Sequence, residues 1–80
     1  MIYTVASTIK EGPAYAKPGD ATKMQMDITV NVGIQDDTKG FIQPRFIRIE
    51  YLRAGTDEAA IDLIIARDAQ TFVDQNYNNP

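Results

Sequence analysis

Residues 24–34, MQMDITVNVGI, limit the fold more than any other stretch of the chain. Met24, Met26, Ile28, Val30, Val32 and Ile34 alternate with Gln25, Asp27, Thr29 and Asn31. An extended backbone turns successive side chains to opposite faces, so this pattern predicts a strand with one buried face. Such a strand needs neighbours for its hydrogen bonds and a second layer over its apolar side.

The neighbours can be read on either side. Residues 2–9, IYTVASTI, are rich in β-branched types and predict a strand. Residues 35–40, QDDTKG, read as a hairpin loop, and residues 45–53 then give a third strand with Ile47, Ile49 and Tyr51 on one face. If Ile34 stands opposite Phe41, Ile28 meets Ile47, Met26 meets Ile49 and Met24 meets Tyr51. The same register sets Asp27 against Arg48, a favourable cross-strand pair. A shift by two residues would put Asp27 opposite Glu50, and a shift by one would turn the apolar set outward. Pro44 lacks a backbone N–H, which predicts a strand start, a bulge or an edge there.

The covering layer comes from the C-terminal part. Ala54-Gly55-Thr56 reads as a turn with Thr56 as helix N-cap, followed by Asp57 and Glu58, where the helix dipole favours negative charge. A helix is expected over about 57–76, with Ile61, Ile64, Ile65, Ala69 and Phe72 on its apolar face. Residues 10–23, KEGPAYAKPGDATK, read as a long loop with a turn at Pro18-Gly19-Asp20, a surface crossover packed by Tyr15. The expected architecture is α+β: a β-β-β-α two-layer sandwich, a small and mainly antiparallel sheet with one helix across it. The chain, 1–80, is read as a single domain.

Composition narrows the chemistry. With no His and no Cys among 80 residues, Ser–His and Cys–His nucleophile pairs, disulfides and thiolate or imidazole metal sites are all excluded. The glycines at 12, 19, 33, 40 and 55 match no phosphate-binding loop. Asp36-Asp37-Thr38 lacks the ligand spacing of a calcium loop and fits turn chemistry instead. A non-catalytic protein with no cofactor and no metal is therefore expected. The net charge of −3 speaks against duplex nucleic acid as a partner. No run approaches the length of a membrane span, and MIYTVASTIKEG lacks the basic stretch of a secretory leader. A cytoplasmic chain, or one assembled into a particle made in the cytoplasm, is expected.

Several residues fit this frame badly, and they are the candidates for function. Phe46 and Leu52 fall beside Arg48 and Glu50 on the face of the third strand that should be wet. Aromatic and arginine content of this kind is enriched at interface centres. A second helix stripe of Ala59, Leu63, Ala66, Gln70, Val73 and Tyr77 adds Leu63 and Tyr77 to the candidate interface. Arg45 shares parity with Ile47 and Ile49, and Asp68 falls between Ile64 and Phe72. An inward Arg and an inward Asp call for each other, so an Arg45–Asp68 bridge is expected beside the Asp27–Arg48 pair.

Three functions remain open. The first is a protein-binding or assembly protein: a homo-oligomer, a small subunit, or an accessory or virion component of a phage or mobile element. The second is an acidic inhibitor of a host or target enzyme, presenting Asp57, Glu58, Asp62 and Asp74 on one surface. The third is a single-stranded nucleic-acid binder using Arg45, Phe46, Arg48, Tyr51 and Arg53, which Tyr51 weakens by its inward parity.

Overall fold

The computed structural model describes residues 2–35 and 43–79. Strands β1 (Tyr3–Lys10), β2 (Tyr15–Lys17), β3 (Asp20–Ile34) and β4 (Gln43–Leu52) precede the helix α1 (Glu58–Val73), which runs on into one π-helical turn, Asp74–Asn78. The sheet is antiparallel and built around β3. β4 pairs with β3 from Lys23 to Val32, which fills that edge. β1 and β2 therefore both lie along the other edge, end to end: β1 against residues 28–34 and β2 against residues 20–25.

The β3–β4 register follows the apolar alternation. Ile28 stands opposite Ile47, Met26 opposite Ile49, Met24 opposite Tyr51 and Asp27 opposite Arg48. Phe41 lies outside the described residues, as do Asp36, Asp37 and Thr38. The even-numbered side chains of β3 form the inner face. Ile28, Val30, Val32 and, from β4, Ile49 are fully buried there, beneath Ile65, Ala69 and Val73 of the helix. Burying a side chain of this size is worth roughly 1.5–3 kcal/mol, so this layer holds most of the fold's stability.

Four local readings need correction. The segment 10–23 is not a plain loop. It contains β2 and the start of β3, joined by a tight turn with Pro18 then Gly19 at φ +82°, a conformation that suits glycine. Sequence pattern hid this strand because three residues between prolines show no alternation. The helix N-cap is Asp57, not Thr56: the Asp57 carboxylate accepts from the Ala60 N–H at 2.8 Å. Thr56 instead donates its hydroxyl to the Leu52 carbonyl. Val73, placed on the outer stripe, is fully buried, and Tyr77 packs beside the core against Tyr3 and Phe72. Residues 61, 65, 69, 73 and 77 recur every fourth position, a ridge that 3–4 spacing around Ile64 and Phe72 obscured.

β1 holds a bulge that decides what its second half presents. Val5 pairs with Val32, but Ser7 pairs with Asn31, so Ala6 is the extra residue. Before the bulge Tyr3 and Val5 face the core. After it the parity reverses, as a bulge requires. Lys10 turns to the helix side, where its ammonium reaches Asp62 at 3.0 Å, and Ile9 turns to the opposite face. The two ends of the domain are joined by Asn78, whose amide accepts from the Tyr3 N–H at 2.8 Å and donates to the Tyr3 carbonyl at 2.9 Å. One side chain thus acts as an added strand partner for β1.

Candidate functional site

The outer face of the sheet, opposite the helix, is built by the odd-numbered residues of β3 and the even-numbered residues of β4. No described segment covers it. Ile9, Thr29 and Phe46 form one row across β1, β3 and β4. Thr29 is buried between its two larger neighbours, whereas Phe46 is 76% exposed and Ile9 49% exposed. Leu52, six positions beyond Phe46 and roughly 20 Å along the strand, is 60% exposed.

Between Phe46 and Leu52 the face is polar and ordered by mutual hydrogen bonding. Arg48 Nε lies 2.9 Å from Asp27 Oδ1. The Tyr15 hydroxyl donates to the same carboxylate oxygen at 3.3 Å, and the Arg48 guanidinium carbon stands 5.8 Å from the Tyr15 ring centroid. In the next row Glu50 accepts from Gln25 at 2.9 Å and lies 3.0 Å from Lys17 Nζ. Toward Phe46, the Thr29 hydroxyl donates to Glu11 at 2.8 Å. β2 thus supplies Tyr15 and Lys17 to the pairs that orient Arg48 and Glu50.

These contacts set the charge states. The Arg48 hydrogen bond holds the Asp27 carboxyl below its ordinary range, against a smaller opposing effect of desolvation. Glu50 is held low by Gln25 first and Lys17 second. Desolvation raises the Tyr15 phenol. Both carboxylates are therefore charged at neutral pH, and the face presents alternating signs in fixed positions.

The remaining candidates lie elsewhere. Leu63 is 73% exposed on the helix, on the other side of the molecule from Phe46 and Leu52. Tyr77 sits at the rim of the core, where the Arg45 Nε–H donates to its hydroxyl at 2.8 Å and lowers its pKa. Arg45 and Asp68 are not brought together: Asp68 pairs with its neighbour Arg67 at 3.1 Å. A phenol satisfied the inward-facing Arg45 where an acid was expected, because Tyr77 belongs to the buried ridge. Ile9 was missed altogether, since only the bulge at Ala6 turns it outward.

The second feature is the outer edge of β4. It pairs with β3 on one side, and no described residue pairs with the other. Arg53 N–H bonds to the Thr22 carbonyl at 2.8 Å. Odd-numbered β4 positions therefore direct their backbone groups to β3, and Phe46, Arg48 and Glu50 direct theirs to the open edge. A groove lined by Ile47, Arg48, Asp68, Thr71, Phe72 and Gln75 separates this edge from the helix. A larger groove, about 610 Å³, continues past Arg45, Phe46, Asn76 and Tyr77, with no carboxylate in its lining. Among the described residues no three acidic side chains converge to hold a metal ion, and no helix is long and apolar enough to cross a membrane.

Compared with protein-family models, with curated proteins and with solved structures, the chain matches none.

Proposed function

We propose that this chain is a non-catalytic protein-binding or assembly domain that works through the outer sheet face and adjoining edge of β4. One observation carries the reading. Among the described residues Phe46 and Leu52 are the most exposed large apolar side chains of the sheet, and they flank the fixed charges of Arg48 and Glu50 on a strand whose outer edge no described residue pairs. Unpaired strand edges with apolar side chains recruit another chain unless they are blocked. A small subunit of a larger assembly, including an accessory or virion component, fits this description.

The other two readings have less behind them. Asp62 is engaged by Lys10, and Asp74 stands twelve residues further on, about 18 Å along the helix and turned away by roughly a third of a revolution. Asp74 is therefore set apart from Asp57, Glu58 and Asp62 at the helix start, and the four do not share one surface. For single-stranded nucleic acid, Tyr51 faces inward opposite Met24 and Arg48 is neutralised by Asp27. Of the five residues named for this reading Phe46 is thus the one aromatic left to stack, and the Tyr15 ring on the same face is already engaged by Arg48.

The test is affinity capture from the chain's own source with quantitative mass spectrometry, comparing wild type with the Phe46→Asp/Leu52→Asp variant. Proteins, including untagged copies of this chain, that bind wild type and are lost from the variant support the reading. An identical set on both overturns it.

A further inference from the structure

The open strand has a property that only its geometry brings out. Around Ile49, β4 reads Phe46-Ile47-Arg48-Ile49-Glu50-Tyr51-Leu52. Read outward from Ile49, each position is matched by its chemical complement. Arg48 mirrors Glu50, Ile47 mirrors Tyr51, and Phe46 mirrors Leu52. An antiparallel strand pair about a twofold axis requires this self-complementarity, since residue i then meets its own mirror position.

We propose that two copies of this chain join their β4 edges, antiparallel and centred on Ile49, into one continuous sheet. The proposal rests on the protein-binding reading above and names the partner as a second copy. Backbone direction agrees. Arg48 and Glu50 both turn their N–H and C=O groups to the open edge, so Arg48 of one copy and Glu50 of the other exchange both main-chain bonds. The twofold keeps each face on its own side, and both helices cover the same inner face.

Charge selects this register over its neighbours. Centring on Arg48 would oppose two arginines, and centring on Glu50 two glutamates. Centring on Ile47 would set Glu50 against Pro44, which has no N–H to give. In the Ile49 register the row across the joined sheet reads Asp27, Arg48, then Glu50 and Gln25 of the second copy, so the three charged side chains alternate in sign across the joint and the neutral Gln25 ends the row. The apolar residues respond in the same way. Phe46 and Leu52 are far apart in one chain but become direct neighbours across the joint, so the row Ile9–Thr29–Phe46 continues onto Leu52 of the second copy. Pro44 lies outside the paired run, where its missing N–H costs nothing.

The test is sedimentation equilibrium over a concentration series, with circular dichroism as the check on folding. Wild type should pass from the monomer mass to twice that mass. Arg48→Glu and Glu50→Arg alone should each weaken association by about tenfold or more, because each sets like charges opposite one another. An equal mixture of these two variants should recover it, because one chain is then acidic and the other basic at both positions. Should Arg48→Glu fail to fold beside Asp27, Phe46→Pro serves instead: it removes an N–H that faces only the open edge, and should leave folded monomers. Leu63→Ser, on the far side, should still dimerise. A wild type that stays monomeric to about 1 mM, a dimer that survives Phe46→Pro, or one lost in Leu63→Ser overturns the proposal. A monomeric wild type leaves the broader reading standing, because that reading is judged by capture of other chains.

Discussion

The two faces of β3 and β4 share one backbone and one register, yet they are organised by different physics. On the inner face, Ile28, Val30, Val32 and Ile49 are sealed under the helix, and the polar pairs described on this side lie at its rims, as where Lys10 meets Asp62 and Arg45 meets Tyr77. On the outer face, charged and polar pairs hold one another in place, and the large apolar side chains point into solvent. The inner face therefore explains why the chain folds. The outer face contributes through its ion pairs and hydrogen bonds, and under the proposed function it is the surface that a partner meets.

This contrast can be broken by substitution. Ile49→Ala or Ile28→Ala should cost about 2–5 kcal/mol of unfolding free energy, measured by denaturant titration, because each opens a cavity in a sealed layer. A loss below about 1 kcal/mol would mean that the inner layer is not the core. Asn78→Ala removes both hydrogen bonds that tie the last turn to Tyr3. It should cost about 1–3 kcal/mol and speed amide exchange at β1 ahead of β4, read by hydrogen-exchange mass spectrometry.

The outer pairs should appear in the pH dependence. Asp27 and Glu50 are held below their unfolded values, so their contribution is present above about pH 4 and is lost as pH falls through the lower folded values. The melting temperature should hold steady down to about pH 5 and then decline. Asp27→Asn should lower it near neutrality and make the acid decline shallower. An unchanged acid profile would remove Asp27 from the account. The smallest effect is expected at Phe46: Phe46→Ser should change stability by no more than about 0.5 kcal/mol in dilute solution, since the side chain has little to lose. A larger loss would mean that the residue belongs to the fold.

Sequence pattern resolved the parts of the molecule with a strict period. The β3–β4 register was legible because alternation and the Asp27–Arg48 pairing select the same alignment. The helix was legible from its isoleucines and acidic start. What escaped were breaks in period. The Ala6 bulge reverses β1 and exposes Ile9, the short β2 hides between Pro13 and Pro18, and the π turn after Val73 belongs to a ridge that carries Tyr77 to the rim of the core. For the candidate surface, Phe46, Arg48, Glu50 and Leu52 could be named from parity alone. That they share one open edge depends on which side of β3 takes up β1 and β2, and no local pattern encodes it.

The claim that joins these points is that β4 meets a second β4 about Ile49. The chain has no cysteine, so two single variants, Phe46→Cys and Leu52→Cys, can report on it directly. Both side chains are exposed and play no part in the core. In the joined sheet, position 46 of one copy faces position 52 of the other, close enough for a disulfide, whereas like positions lie roughly 20 Å apart. Mild oxidation, read by non-reducing electrophoresis and mass spectrometry, should leave each variant alone as monomer and convert their mixture to a covalent heterodimer. Equal cross-linking in the separate variants, or none in the mixture, would contradict the account.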